Sequence, residues 1–342
     1  MTKKKKICLA LQGGGAHGAF TWGVLDGLLR EESLEIEAVS GTSAGAMNAA
    51  ILVDALKRGG PAHARARLER FWRAISDAGA GFFRPGRMMG ALLDRNSDWS
   101  PIALWTEALA LVWSPYDNPF YANPLAQVID RELPDFGALN DDRTPYLFVC
   151  ATNVRTNRRR VFGRGELTAD ALAASACLPT LFRSIEIDGE FYWDGGYLGN
   201  PALAPLRSPA LAEDLLLVWV NPLNQPALPT NARDILDRLN EVTFNATLLQ
   251  EIEAIDAINE LKAAGAAPGA PYKRIRLHEI GDEHNLARLG LASKGNTDWD
   301  FLTGLRDLGR RAAARWLRES LGKVGRRTTA DMHRMLRCLE SA

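Results

Sequence analysis

At 342 residues and 46% hydrophobic, the chain is long enough to bury a sizeable core. Lys plus Arg equals Asp plus Glu, 41 against 41, so no overall charge points to nucleic acid as a partner. The four cysteines, Cys8, Cys150, Cys177 and Cys338, lack paired metal-ligand spacing, which predicts buried reduced thiols of a cytoplasmic protein and no metal site.

The first element is the apolar run Ile7 to Leu11, which predicts a strand over Lys6 to Leu11. Five apolar residues ending in Gln12 are too short for a signal-peptide core, and no later run approaches the ~20 residues of a membrane span. The lysines from Lys3 to Lys6 suit a solvated tail, and they also suit peripheral contact with an anionic membrane surface. Next comes Gly13-Gly14-Gly15-Ala16-His17-Gly18, leading into an amphipathic helix over Ala16 to Arg30. A glycine loop at a helix N-terminus presents unpartnered N–H groups that an anion can approach closely. That anion is either a nucleotide phosphate or the oxyanion of a tetrahedral acyl intermediate. A Walker loop needs a terminal Gly-Lys-Ser/Thr, which is missing here. Gly13-x-Gly15-x-x-Gly18 matches the dinucleotide spacing, with Glu35 or Glu37 in the acidic role, but leaves the next element unexplained.

That element is a strand over Ala38 to Gly41, the turn Gly41-Thr42-Ser43-Ala44-Gly45 and a helix over Ala44 to Lys57. G-x-S-x-G between a strand and a helix exposes a serine hydroxyl at a crowded turn, so Ser43 is the candidate nucleophile and Gly41 and Gly45 make room for the turn. Residues 80–121 form an aromatic-rich insertion, including Trp105 and Trp113, that suits either core packing or a lid and acyl-chain pocket. Strands are predicted over Tyr146 to Thr152, Arg159 to Phe162 and Phe191 to Trp193. The last delivers Asp194 into the turn Asp194-Gly195-Gly196. A Ser-His-Asp triad with a late histidine would need an imidazole in suitable turn chemistry. His278 falls in a strand, His284 in a charged loop and His333 in a terminal helix, so Asp194 is the better base.

Strands over Leu215 to Asn221 and Tyr272 to Ile280 follow. Helices are predicted over Ala232 to Ala264, Asp298 to Leu321 and Thr328 to Leu339. In the first of these the expected buried face is Ile235, Leu239, Val242, Ala246, Leu249, Ile252 and Ile255. The alternation predicts a three-layer α/β/α fold with a mostly parallel central sheet. Residues 1–220 form the catalytic part, and 221–342 a mainly helical extension packed on the same domain.

The three motifs together resemble the patatin-like phospholipases, whose pattern is a G-G-G-x-[basic]-G loop, G-x-S-x-G and D-G-[GA], in that order. The resemblance covers about residues 5 to 220 and departs at His17, where the family more often has Arg or Lys. It implies a lipid acyl hydrolase without metal or cofactor, taking a lipid substrate. Ser43 and Asp194 would form the catalytic dyad, Gly13, Gly14 and Gly15 the oxyanion hole, and His17 and Gly18 the supporting loop. A phospholipase or lysophospholipase is the expected class. The alternatives are an acyltransferase of a related fold, whose G-H-S-x-G has His where Thr42 stands, and a non-catalytic lipid-binding protein.

Overall fold

The computed structural model describes residues 4–82, 114–117, 121–224, 228–266 and 273–336. Most of the aromatic insertion at 80–121, Trp105 and Trp113 included, lies outside them, as does Cys338. Eight strands form one sheet: β1 (Lys5–Leu11), β2 (Leu34–Gly41), β3 (Tyr146–Asn153), β4 (Arg158–Phe162), β5 (Ile185–Ile187), β6 (Glu190–Asp194), β7 (Asp214–Val218) and β8 (Arg276–Ile280). Hydrogen-bonded neighbours follow the path β5-β6-β3-β2-β1-β7-β8, with β4 also paired to β3. From β3 to β8 neighbouring strands run parallel, while β4, β5 and β6 pair antiparallel.

The central position of β1 follows from its sequence. Ile7 to Leu11 are all fully buried, as expected of a strand covered on both faces. Lys5 and Lys6 belong to β1 rather than to a solvated tail, Lys6 pairing with Glu37 of β2 at 2.8 Å. The main helices are α1 (Gly18–Leu28), α2 (Ala44–Phe82), α3 (Pro124–Glu132), α4 (Ala169–Ser175), α5 (Ala232–Ala263) and α6 (Trp299–Ser320). The sheet grows from β1 to β2 and β3 on one side and to β7 and β8 on the other. Right-handed crossovers therefore set α1 and α2 on one face and α5 on the opposite face, which gives the three layers. Helix α6 packs on α1, and Arg310 of α6 reaches Asp26 of α1 at 2.9 Å.

Local chemistry sets the helix ends. Asn231 caps α5 by accepting from the Asp234 N–H, and Asp298 caps α6 by accepting from that of Asp300. Helix α2 runs beyond the predicted Lys57, interrupted at Gly60 (φ 73°) immediately before Pro61. A left-handed glycine followed by proline ends one helix and starts another, so α2 is two helices end to end.

The buried face of α5 differs from expectation. Phe244, Leu248, Ile252 and Ile255 are buried, whereas Ile235, Leu239 and Val242 are about half exposed. Ile252 and Ile255 are buried as expected, and the core begins only at the second third of the helix, where Phe244 and Leu248 are buried in place of Ala246 and Leu249. Cys8, Cys150 and Cys177 are buried free thiols, each pushed up by burial, to about 11, 12 and 12.

Candidate active site

Pairing on β3 brings the motifs together. Val149 pairs with Gly41 of β2 and Phe162 of β4, and Ala151 pairs with Arg160 of β4 and Asp194 of β6. A strand has two flanks, and β4 occupies one of them from Val149 to Asn153. Strands β2 and β6 therefore share the other. Since β2 runs parallel to β3 and β6 antiparallel, their C-terminal ends meet head on. Gly41 ends one strand and Asp194 the other, which sets the serine turn against the acid turn. On the far side of β2, Leu11 of β1 pairs with Gly41, so the glycine loop emerges next to the same point.

Ser43 sits in the left-handed region at φ 54°, an unusual place for a non-glycine residue and the mark of a strained nucleophile turn. It is 7% exposed. Its N–H donates to Ser175 Oγ at 2.9 Å, and the Thr42 hydroxyl donates to the Gly199 carbonyl at 2.6 Å, fixing both sides of the turn. Space for any side chain at Gly41 is closed by the Gly45 carbonyl, 2.6 Å from where a Cβ would stand. Gly45 is itself packed on the Leu11 carbonyl.

Asp194 is fully buried. Oδ1 accepts from the Gly196 N–H at 2.7 Å, and Oδ2 has no hydrogen-bond partner of ordinary geometry. Burial pushes its carboxyl up to about 7, against the opposing effects of the Gly196 N–H, the nearby Ser43 hydroxyl and the charge of Lys294. A carboxyl with one spare oxygen facing a serine hydroxyl, and a pKa near neutrality, is equipped to take a proton.

The glycine loop departs from expectation at one residue. The N–H of Gly13, expected among the oxyanion donors, already donates to Asn200 Oδ1 at 2.7 Å. The Gly13 carbonyl accepts from Asn221 Nδ2 at 2.8 Å. Gly13 thus anchors the loop, and a Cβ on it would stand 2.7 Å from that of Ser43, so the two residues touch. Neither the Gly14 nor the Gly15 N–H has a protein acceptor among the described residues. Gly15 is left-handed (φ 57°) and lies against the Lys294 carbonyl, which leaves no space for a side chain. The Gly18 carbonyl accepts from Asn48 Nδ2 at 2.9 Å, tying the loop to α2.

His17 is 1% exposed, and its Nε2 bonds to Ser293 Oγ at 2.7 Å. Burial first, and the charge of Lys294 second, lower it to about 3, so it is neutral and brings no fixed charge. His278 lies on β8, bonded to Asp214 Oδ1 at 3.0 Å and Thr329 Oγ1 at 2.7 Å. It is three strands from β2, or about 14 Å at the usual strand spacing.

Several residues were not found by motif reading. Gln12 accepts from the Val220 and Asn221 N–H groups at 2.8 and 2.9 Å and donates to Asn245 at 2.8 Å. With Asn200 and Asn221 it forms the buried polar platform under Gly13. Their signal was present: single amides closing apolar strands, at Gln12 after Leu11 and at Asn221 after Val220. Ser293 and Lys294 had no signal, because the turn at 291–295 reaches the loop only through tertiary packing.

Among the described residues no group of three or more His, Cys, Asp or Glu is placed to hold a metal ion, and no helix is long and apolar enough to cross a membrane. A family model for patatin-like phospholipases matches residues 9–207, more than half of the chain. No curated protein matches the sequence. Among solved structures, VipD from Legionella pneumophila is similar at 15% identity and a TM-score of 0.33, over 89% of this chain and 67% of that one. A chain of the complex of full-length SpcU with full-length ExoU from the Pseudomonas aeruginosa type III secretion system is similar at 16% identity and a TM-score of 0.30, over 97% and 76%. Both structural likenesses are loose; on the family match, whose span contains the three motifs that converge here, the chain belongs to the patatin-like phospholipases, a family of hydrolases that act on lipid esters.

Proposed function

We propose that the protein hydrolyses carboxylic esters of phospholipids or lysophospholipids through a Ser43–Asp194 dyad and an acyl-enzyme. The observation that carries this reading is the head-on meeting of β2 and β6, which sets a strained serine against a buried carboxylate with one unpartnered oxygen. In the first step Ser43 Oγ attacks the ester carbonyl while its proton passes to Asp194. The carbonyl oxygen becomes an oxyanion facing the free N–H groups of Gly14 and Gly15, donors worth roughly 3–4 kcal/mol each in other hydrolases. Collapse of the tetrahedral species expels the alcohol, which takes the proton from Asp194. Water, giving its proton to the same carboxylate, then attacks the acyl-enzyme, and collapse of the second tetrahedral species breaks the Oγ–C bond, returns that proton from Asp194 to Ser43 Oγ and releases the fatty acid.

A transferase is disfavoured because Thr42 stands where its histidine would, and Thr42 is already bonded to Gly199. A binding protein has no use for a strained serine beside a buried, partly unpaired carboxylate. The test is incubation of purified protein with phosphatidylcholine and lysophosphatidylcholine in buffer containing EDTA. Free fatty acid should appear with water as sole acceptor, and Ser43→Ala should release none. Equal release by the variant, or acyl transfer without hydrolysis, would overturn the reading.

A further inference from the structure

We infer that Lys294 is the fixed cation of the catalytic centre, a positioning residue that keeps Asp194 ionised as the general base. This rests on the dyad reading given above. The loop position at which a basic residue was expected carries His17, which is neutral, buried and turned onto Ser293. The next residue, Lys294, lies with its carbonyl against Gly15. Its Nζ donates to Asn240 Oδ1 at 2.7 Å and stands 5.5 Å from the ring centroid of Phe244. Phe244 in turn packs on Tyr197 (5.4 Å between centroids) and on Gly196, the residue that donates to Asp194. The ammonium is thus held over the turn that carries the acid, from a segment more than ninety residues further along the chain.

The charges around the pair are few. Asp194 faces Ser43 from the nucleophile turn, Cys150 from β3, Cys177 from the end of α4, Tyr197 from its own turn and Lys294. The two thiols and the phenol are pushed up to about 12, so they stay neutral, and Lys294 is the cation that acts on the carboxylate among the described residues. Lys294 faces Asp237 and Glu241 from α5, Asp194 itself and neutral His17. Burial lowers Lys294 to about 8, against those three carboxylates, so it is mostly charged at the midpoint of the Asp194 titration. The positive charge of Lys294 favours the ionised carboxylate, after the Gly196 N–H and the Ser43 hydroxyl the third effect that opposes burial there. Without it, burial would be opposed only by the Gly196 N–H and the Ser43 hydroxyl and would hold Asp194 protonated further into the neutral range.

The experiment is the pH dependence of the acylation burst on p-nitrophenyl butyrate, measured for wild type, Lys294→Met, Lys294→Gln and Lys294→Arg. In the wild type the burst rate should rise with pH along an acid limb near 7. In the Met and Gln variants that limb should move up by as much as about one unit, a loss of up to roughly tenfold at pH 6 that shrinks to about twofold or less at pH 9. Arg should restore the wild-type limb. Gln keeps a hydrogen-bonding end for Asn240, so it reports even where Met fails to fold. An unmoved acid limb in either neutral variant, or a loss equal at all pH values and shared by Arg, would overturn the inference and leave a packing role. A wild type with no burst, or a Ser43→Ala variant that still shows one, would instead strike the dyad reading.

Discussion

Ser43 holds its place against the local preference of its backbone. A non-glycine residue at φ 54° costs of order 1–2 kcal/mol, and the Ser175 and Thr42 hydrogen bonds hold it there. Ser43→Gly relieves that strain and Ser43→Ala does not. Both should lose ester hydrolysis, and the Gly variant should be more stable than the Ala variant by about 1 kcal/mol in denaturant titration. A more stable Ala variant would mean the turn is unstrained. Asp194 gives a second test, with a sign fixed by its raised pKa. Between about pH 4 and 7 the native state holds a proton that the unfolded carboxyl has released, so stability falls as pH rises through that window. Asp194→Asn keeps the acceptor for the Gly196 N–H and removes the titration. The variant should be inactive, with a stability advantage over wild type that grows from pH 4 to pH 8 to on the order of 2–4 kcal/mol. A constant difference would show that Asp194 does not titrate in this range.

At the scale of elements, one buried carboxylate joins three helices. Asp26 of α1 takes Arg65 of α2 and Arg310 of α6 at 2.9 Å each, and Arg30 of its own helix at 3.2 Å. Burial raises its carboxyl, but Arg65 and Arg310 outweigh that and hold it below the usual range. Asp26→Ala would leave partly buried guanidinium groups without their partner. The expected cost is about 2–3 kcal/mol, below the full value for a buried pair because the arginines remain partly in water. Denaturant midpoints would measure it, and a loss under 0.5 kcal/mol would show that the helices are joined by apolar packing alone.

Element positions were largely legible in the sequence, because β1, β3 and β7 are apolar runs with turn residues after them. The start of β2 was not: Leu34-Glu35-Ile36-Glu37 alternates, and its charged face is satisfied by Lys6 across the pair. Nor was the antiparallel strand β5, at three residues too short to leave a pattern. The face of α5 was misread because its first third carries apolar residues that no other element covers among those described.

For the whole molecule, the three motifs pointed to the candidate nucleophile, the candidate acid and the glycine loop, yet the site is wider than they are. The family match ends at residue 207. The platform residue Asn221, the edge strand β8 and the turn bearing Ser293 and Lys294 all come later in the chain and are parts of the same sheet or the same loop contact. The contacts of Asn221 with Gly13 and of Ser293 with His17 could not be read from sequence spacing, because the partners lie about 200 residues or more apart and only folding brings them together. The same reason hid the prior engagement of the Gly13 N–H by Asn200.

The central claim is that Ser43 is a nucleophile activated by Asp194, and covalent labelling tests it most directly. Purified protein would be incubated with a fluorophosphonate and the modified peptide located by mass spectrometry. A single adduct on Ser43 is expected in the wild type, absent in Ser43→Ala and formed at least a hundredfold more slowly in Asp194→Asn, in the range of a lost general base. An adduct on another residue, no adduct at all, or full-rate labelling of Ser43 without Asp194 would contradict it.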